Sequence, residues 1–116
     1  MRIINLTNHT INIFRSNNEV ISYPPDTDRE VVRVETIQKR CSRVNNIPIL
    51  KTVYQGSNGN LPPEEKDTMY IVSSLVGMSN PGRKDLVCPN THPKEIIRNR
   101  EGNILGVKSF QCFWSV

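Results

Sequence analysis

Long hydrophobic runs, histidine, cysteine and aromatic residues are all scarce in this 116-residue chain. No apolar stretch approaches the roughly 18 residues that read as a membrane-spanning helix. The opening MRIINLTNHTINIF lacks the apolar core of a secretion signal. Cys41, Cys88 and Cys112 are too few and too scattered for a disulfide framework, which points to a reducing cytosol. Apolar residues make up 36% of the chain, which is lean, yet Val and Ile are plentiful and net charge is only +4, so wholesale disorder is not expected. The length suits one domain, spanning 1–116, with no second unit. A chain of this size buries roughly two-thirds of its unfolded surface and needs neither metal nor disulfide to hold a core.

Enzyme templates are missing as well. His9 sits in a turn and His92 in a proline-bounded loop, and neither begins an H-x-S/T motif. There is no phosphate-cradling G-x-x-x-x-G-K-[ST] loop and no G-x-S-x-G nucleophile elbow. Cys88 and His92 form at most half of a zinc site, which needs three or four ligands. Cys88 itself, in an aliphatic strand, reads as a small core residue rather than a nucleophile. The sequence therefore predicts no metal and no cofactor, and no pair of carboxylates stands out for catalysis.

What is present is β-patterning. Ile3-Ile4-Asn5-Leu6 and Thr10-Ile11-Asn12-Ile13-Phe14 read as two strands of a hairpin turning at Asn8-His9. Glu19–Tyr23 follows the Ser16-Asn17-Asn18 turn and stops at Pro24-Pro25. Glu30–Ile37 alternates, with Val32, Val34 and Thr36 on one face. Ile47–Tyr54 follows the Asn45-Asn46 break. Gly56–Pro63 is turn chemistry. Met69–Val72 is the most apolar strand. After it the period changes, and Leu75, Val76 and Met78 suit a short helix capped by Ser73 or Ser74. Asp85–Cys88 is a further strand. Glu95–Arg98 and Asn103–Phe113 form a hairpin around Gly102. The predicted fold is α+β but mainly β, an antiparallel sheet with hairpins and one short helix after the central strand. The tail Phe110–Trp114 concentrates aromatic residues and is expected to dock on the core or on another subunit.

Two clusters suggest binding. Ser73 and Ser74 at a helix start, followed by Arg83, Lys84, Asp85, Asn90 and Thr91, could hold a phosphate and a sugar. The alternative is that Ser73 only caps the helix while Arg83 and Asp85 pair with each other. The second cluster lies between Glu35 and Glu64, where no acidic residue occurs but Lys39, Arg40, Arg43 and Lys51 do. It is either an anion site or a charged strand edge that blocks aggregation. Nucleic acid is a disfavoured partner: the charge is mild, and no aromatic residues interleave with the basic ones.

The segments Tyr70-Ile71-Val72-Ser73-Ser74-Leu75-Val76, Arg83-Lys84-Asp85-Leu86-Val87-Cys88-Pro89-Asn90-Thr91 and Arg98-Asn99-Arg100-Glu101-Gly102-Asn103-Ile104-Leu105-Gly106-Val107 share a pattern with a family of small phage proteins. The opening Ile3–Ile11, the pair Arg33-Val34 and the Gly59-Asn60-Leu61-Pro62 turn fit it too, so the likeness covers nearly the whole chain in order. The chain resembles the first-described phage anti-Thoeris proteins, sponges for a cyclic ADP-ribose immune signal. It departs from them at Gly77-Met78-Ser79-Asn80, which is short and polar where the family has a longer Ala-rich helix.

The resemblance implies a non-enzymatic, cofactor-free protein of the infected bacterial cytoplasm. Such a protein sequesters glycocyclic ADP-ribose intact, and in some members cyclic oligonucleotides at separate sites. It implies a homo-oligomer, dimer or hexamer. It also implies a signal pocket built from Ser73, Ser74, Met78, Arg83, Asp85, Asn90, Thr91 and Arg98, with Lys39, Arg40 and Arg43 as the second anion site. Set against this stands a protein–protein interaction module using the aromatic C-terminal strand.

Overall fold

A computed structural model describes residues 1–54 and 61–115. The Gly56–Pro63 turn expected from the sequence falls largely outside these residues. The strands are β1 (Arg2–Asn5), β2 (Ile11–Phe14), β3 (Val20–Tyr23), β4 (Thr36–Val44), β5 (Ile47–Tyr54), β6 (Thr68–Ile71), β7 (Leu86–Pro89), β8 (Ile96–Arg98), β9 (Ile104–Val107) and β10 (Phe110–Gln111). Among the described residues a single helix, α1 (Ser74–Ser79), follows β6. The fold is α+β and mainly β, with antiparallel hairpins and one short helix after the central strand.

The first sheet runs β1-β6-β7-β10. β6 is flanked in parallel by β1 and β7, while β10 is antiparallel to β7. A parallel strand covered on both faces reads as a continuous apolar run, and Tyr70, Ile71 and Val72 are fully buried. Because side chains alternate across a strand, the sheet separates two cores. Ile4, Leu6, Tyr70, Val72, Leu86 and Cys88 face one of them, which Val32 and Val76 of α1 complete. Ile71 and Val87 face the other, against Ile11, Ile13 and Val107 of the second sheet. That sheet runs β3-β2-β9-β8.

The expected hairpin between the first two strands does not form. β1 pairs with β6 and β2 pairs with β3, in different sheets. Asn5 supplies the reason. Its buried side chain donates to the carbonyls of His9 (2.9 Å) and Tyr23 (2.8 Å) and accepts from Thr7 N–H (2.8 Å) and Thr7 Oγ1 (2.7 Å). These bonds hold residues 7–9 as a corner that carries the chain from one sheet into the other. A second difference concerns Glu30–Ile37. Val32 is buried and Val34 packs beside it, as the alternation suggested, but the strand starts only at Thr36. The valines act as a cover over the first core, held in part by a bond from Val32 N–H to Leu6 O.

The β2–β3, β4–β5 and β8–β9 hairpins fall where the turn residues place them. Asn18, Asn45 and Asn46 take positive φ, and Gly102 has φ of 86°. The aromatic tail docks on its own chain: Phe113 packs on the first core, Phe110 and Trp114 on the second. Gly77 makes room for it, since a Cβ there would sit 2.7 Å from Cys88 Sγ and 2.9 Å from Phe113.

β4 and β5 form a separate two-stranded ribbon, exposed along almost its whole length. It stretches the molecule to 53 × 40 × 31 Å, with a radius of gyration of 16.8 Å. A compact domain of about 100 residues has about 13 Å. No helix among the described residues is long and apolar enough to cross a membrane.

Candidate functional site

The carboxyl ends of the parallel strands β1, β6 and β7 open on one side of the first sheet. In open parallel sheets this end is where ligands bind, because the connections there diverge and leave a crevice. Here the crevice is a cleft of about 410 Å³, within the range of small-molecule sites. Thr7, Asn8 and His9 reach it from the corner after β1. Ser73, Ser74 and Leu75 reach it from the β6–α1 junction, and Pro89 and Thr91 from the end of β7. Val31, Val32, Arg33 and Val34 close the remaining wall.

Its chemistry is apolar walls with a few polar groups. Val32 and Val72 are buried; Ser73, Thr91 and Arg33 are exposed. Ser73 Oγ accepts the Val76 N–H at 3.3 Å, which caps α1 and leaves its own hydroxyl proton free to donate. His9 Nδ1 is 2.9 Å from Asn8 Oδ1. The side-chain oxygen of Asn8 can only accept, so Nδ1 carries a proton and Nε2 is left for another partner. Among the described residues no carboxylate lines the cleft.

The structure divides the residues that the sequence grouped. Ser73, Ser74 and Thr91 come together in the cleft. Arg83 and Asp85 do not join them. The guanidinium forks onto the carboxylate (Nε 2.9 Å, Nη2 2.7 Å), and Nη2 also donates to Pro62 O at 2.8 Å. Glu64 adds an exposed contact at 3.5 Å. The hydrogen bond to Asp85 raises the Arg83 pKa above its ordinary value, against the opposing effect of burial. This pair is the bland alternative considered from the sequence, and its job is to tie the Pro62 segment to the start of β7.

Asn90 donates to Ser109 Oγ at 3.1 Å and accepts from His92 N–H, so its amide is committed to local structure. Arg98 Nη1 donates to Gly102 O at 2.7 Å and closes the β8–β9 turn. Met78 is half exposed on α1 and outside the cleft. Lys39, Arg40 and Arg43 lie on the ribbon, where Lys39 stands directly opposite Lys51. With four basic residues and no acid between Glu35 and Glu64, this segment accounts for the whole net charge of +4.

Sequence reasoning missed Thr7, Asn8, His9 and Arg33 as site residues. Asn8-His9 was visible as a turn and Arg33-Val34 as part of an alternating segment, but nothing local shows that they converge. A wider depression of about 770 Å³ beside β2–β3 is lined by none of the residues singled out from the sequence. Among the described residues no group of three His, Cys, Asp or Glu side chains could hold a metal ion. No family model, no curated protein and no solved structure matches the chain.

Proposed function

We propose that this protein is a non-enzymatic sponge that binds a cyclic nucleotide immune signal of the glycocyclic ADP-ribose kind and holds it unaltered. The observation that carries the reading is the cleft at the ends of β1, β6 and β7. Its hydroxyls and Arg33 suit phosphate and ribose oxygens, its valine wall suits a base, and among the described residues no carboxylate in its lining would repel an anion. The resemblance to the phage anti-Thoeris family supplies the identity of the signal. Ser73, Ser74, Thr91 and Arg33 would hold it, with Arg83, Asp85, Asn90 and Arg98 keeping the frame around them and Met78 at its outer margin. The setting is the cytoplasm of an infected bacterium, and no cofactor takes part.

The test is to mix purified protein with glycocyclic ADP-ribose, isolate the complex, denature it by heat and weigh what is released. Ligand of unchanged mass, in stoichiometric amount, is the expected result. A cleaved product would replace the sponge with an enzyme.

The ribbon favours a homo-oligomer. A two-stranded sheet is marginal in water unless something covers it, and Ile37, Val44, Ile47, Ile49, Leu50 and Tyr54 are all exposed on this one. Dimer or hexamer formation through these residues would bury them, and Lys39, Arg40 and Arg43 would then be a second anion site for a cyclic oligonucleotide. The same ribbon supports the rival reading of a protein–protein interaction module. The aromatic tail offers that reading less, because Phe110, Phe113 and Trp114 are spent on the chain's own cores.

A further inference from the structure

The cleft is not closed on the side of β2. A second depression of about 310 Å³, lined by Thr10, Asn12, Ile104, Leu105 and Gly106 among others, shares His9, Ile11, Pro89 and Thr91 with the first. The two are lobes of one trough, and these shared residues form the saddle between them.

The second lobe exists because β2 and β9 part company. These parallel strands are in register only at Ile13↔Val107. Gly106 lies so close to β2 that a Cβ would come within 2.5 Å of Asn12 O. One residue earlier the Leu105 carbonyl is taken by the Asn12 side chain, at 3.2 Å, instead of by the β2 backbone. The strands therefore splay, and Ile104 and Leu105 are left 56% and 45% exposed at the rim. Two exposed aliphatic side chains beside a formed depression are surface a ligand can cover. His9 and Thr91 at the saddle provide polar partners there, and among the described residues no carboxylate lines either lobe.

We propose that the binding site is bipartite. The adenine lies in the valine-walled lobe, the distal ribose sets its C–H face against Ile104 and Leu105, and the diphosphate crosses the saddle over His9 and Thr91. This rests on the nucleotide-binding reading given above and extends it to residues on β9.

The experiment is a titration of isotopically labelled protein with glycocyclic ADP-ribose, followed by amide shifts and repeated with Leu105→Gln and with the double variant Ile104→Gln/Leu105→Gln. Both side chains are largely exposed, so the fold is retained, and a thermal melt checks it. Expected are shifts at Val34 and Ser73 and also at Asn12 and Leu105, with affinity falling about fivefold or more in the double variant as apolar contact is lost. Shifts confined to one lobe, or undiminished affinity in both variants, would overturn the bipartite site while leaving nucleotide binding standing. No binding by the wild-type protein would overturn both.

Discussion

The guanidinium of Arg83 grips the carboxylate of Asp85 through two hydrogen bonds, at 2.9 and 2.7 Å, while Asp85 is 7% exposed. Residues that look from the sequence like a phosphate-and-ribose reader are thereby a structural clamp at the foot of β7. The same Nη2 reaches Pro62 O, so one side chain ties the chain entering β6 to the strand beside it.

Removing Arg83 leaves a buried carboxylate unpaired. Arg83→Ala is expected to lower stability by about 3–5 kcal/mol. Glu64→Gln, which touches only the exposed side of the arginine, should stay within about 0.5 kcal/mol. Urea unfolding of the two variants separates them. Equal, small losses would return Arg83 to the list of ligand residues.

Arg33 makes the opposite case. It lines the cleft, is exposed, and makes no hydrogen bond or ion pair among the described residues. Arg33→Ala should therefore weaken signal binding by about tenfold or more, the worth of one charge-assisted hydrogen bond, with an unchanged melting temperature. Calorimetric titration and a thermal melt on the same sample check both halves.

Burial pushes the Cys88 thiol up from 9.0 to about 11, and nearby Cys112 adds to the effect. The folded state holds this proton more tightly than the unfolded chain does. Stability from this source is complete below pH 9.0 and is lost as pH rises through about 11. Unfolding free energies at pH 8 and pH 10.5 should fall more steeply for the wild type than for Cys88→Ala. Parallel slopes would show that the thiol is not held as its surroundings require.

Gly77 is a packing requirement. A methyl group there meets Cys88 Sγ and the Phe113 ring at under 3 Å, so Gly77→Ala should destabilise by about 1–3 kcal/mol despite the better helix propensity of alanine. The gain from propensity is under about 1 kcal/mol and does not offset the clash. A paired Phe113→Ala background, which opens the space, should shrink the penalty in chemical denaturation.

For the ribbon, Ile47→Asp/Ile49→Asp should lower the mass seen by light scattering. Both side chains share one face, two positions apart on β5, and both are exposed in a single chain. A wild-type protein that already runs as a monomer would reject assembly through this element.

Local pattern carried much of the fold. Period-two alternation located β2, an extended run between turn residues located β5, a continuous apolar run located β6, the change of period after Val72 located α1, and Asn or Gly at turns located the hairpins, because these signals depend on the backbone of neighbouring residues alone. Alternation says that a segment is half-buried and extended. It does not say which strand lies alongside, and so β1 was assigned the wrong neighbour. The partner was chosen by Asn5, whose four side-chain bonds reach residues as far as Tyr23.

The candidate site was legible only in part. Ser73 and Ser74 stand where a strand meets a helix, which a sequence shows. Arg33, His9 and Thr91 are far apart in the chain; the parallel stacking of β1, β6 and β7 turns the strand ends beside His9 and Thr91 to the same side, and residues 31–34 bring Arg33 across them. Arg83 and Asp85 carried the right chemistry for a ligand, but two residues apart in a turn they satisfied each other first.

The scarcities noted at the outset still hold as composition: few histidines, few cysteines, no catalytic template, and an acid-free segment carrying the net charge. By itself the sequence determined most of the strands, the turns between them, the helix and the position of the charge, since each follows from local propensity and period; it set β4 too early, at Glu30–Ile37 instead of Thr36–Val44, and ran β9 and β10 together as Asn103–Phe113. Tertiary structure alone decided which strands are parallel, which arginine is free, and that the charged segment stands out as a ribbon. Those outcomes depend on burial and on pairing across long stretches of chain, where competition between partners, rather than the preference of any one residue, sets the result.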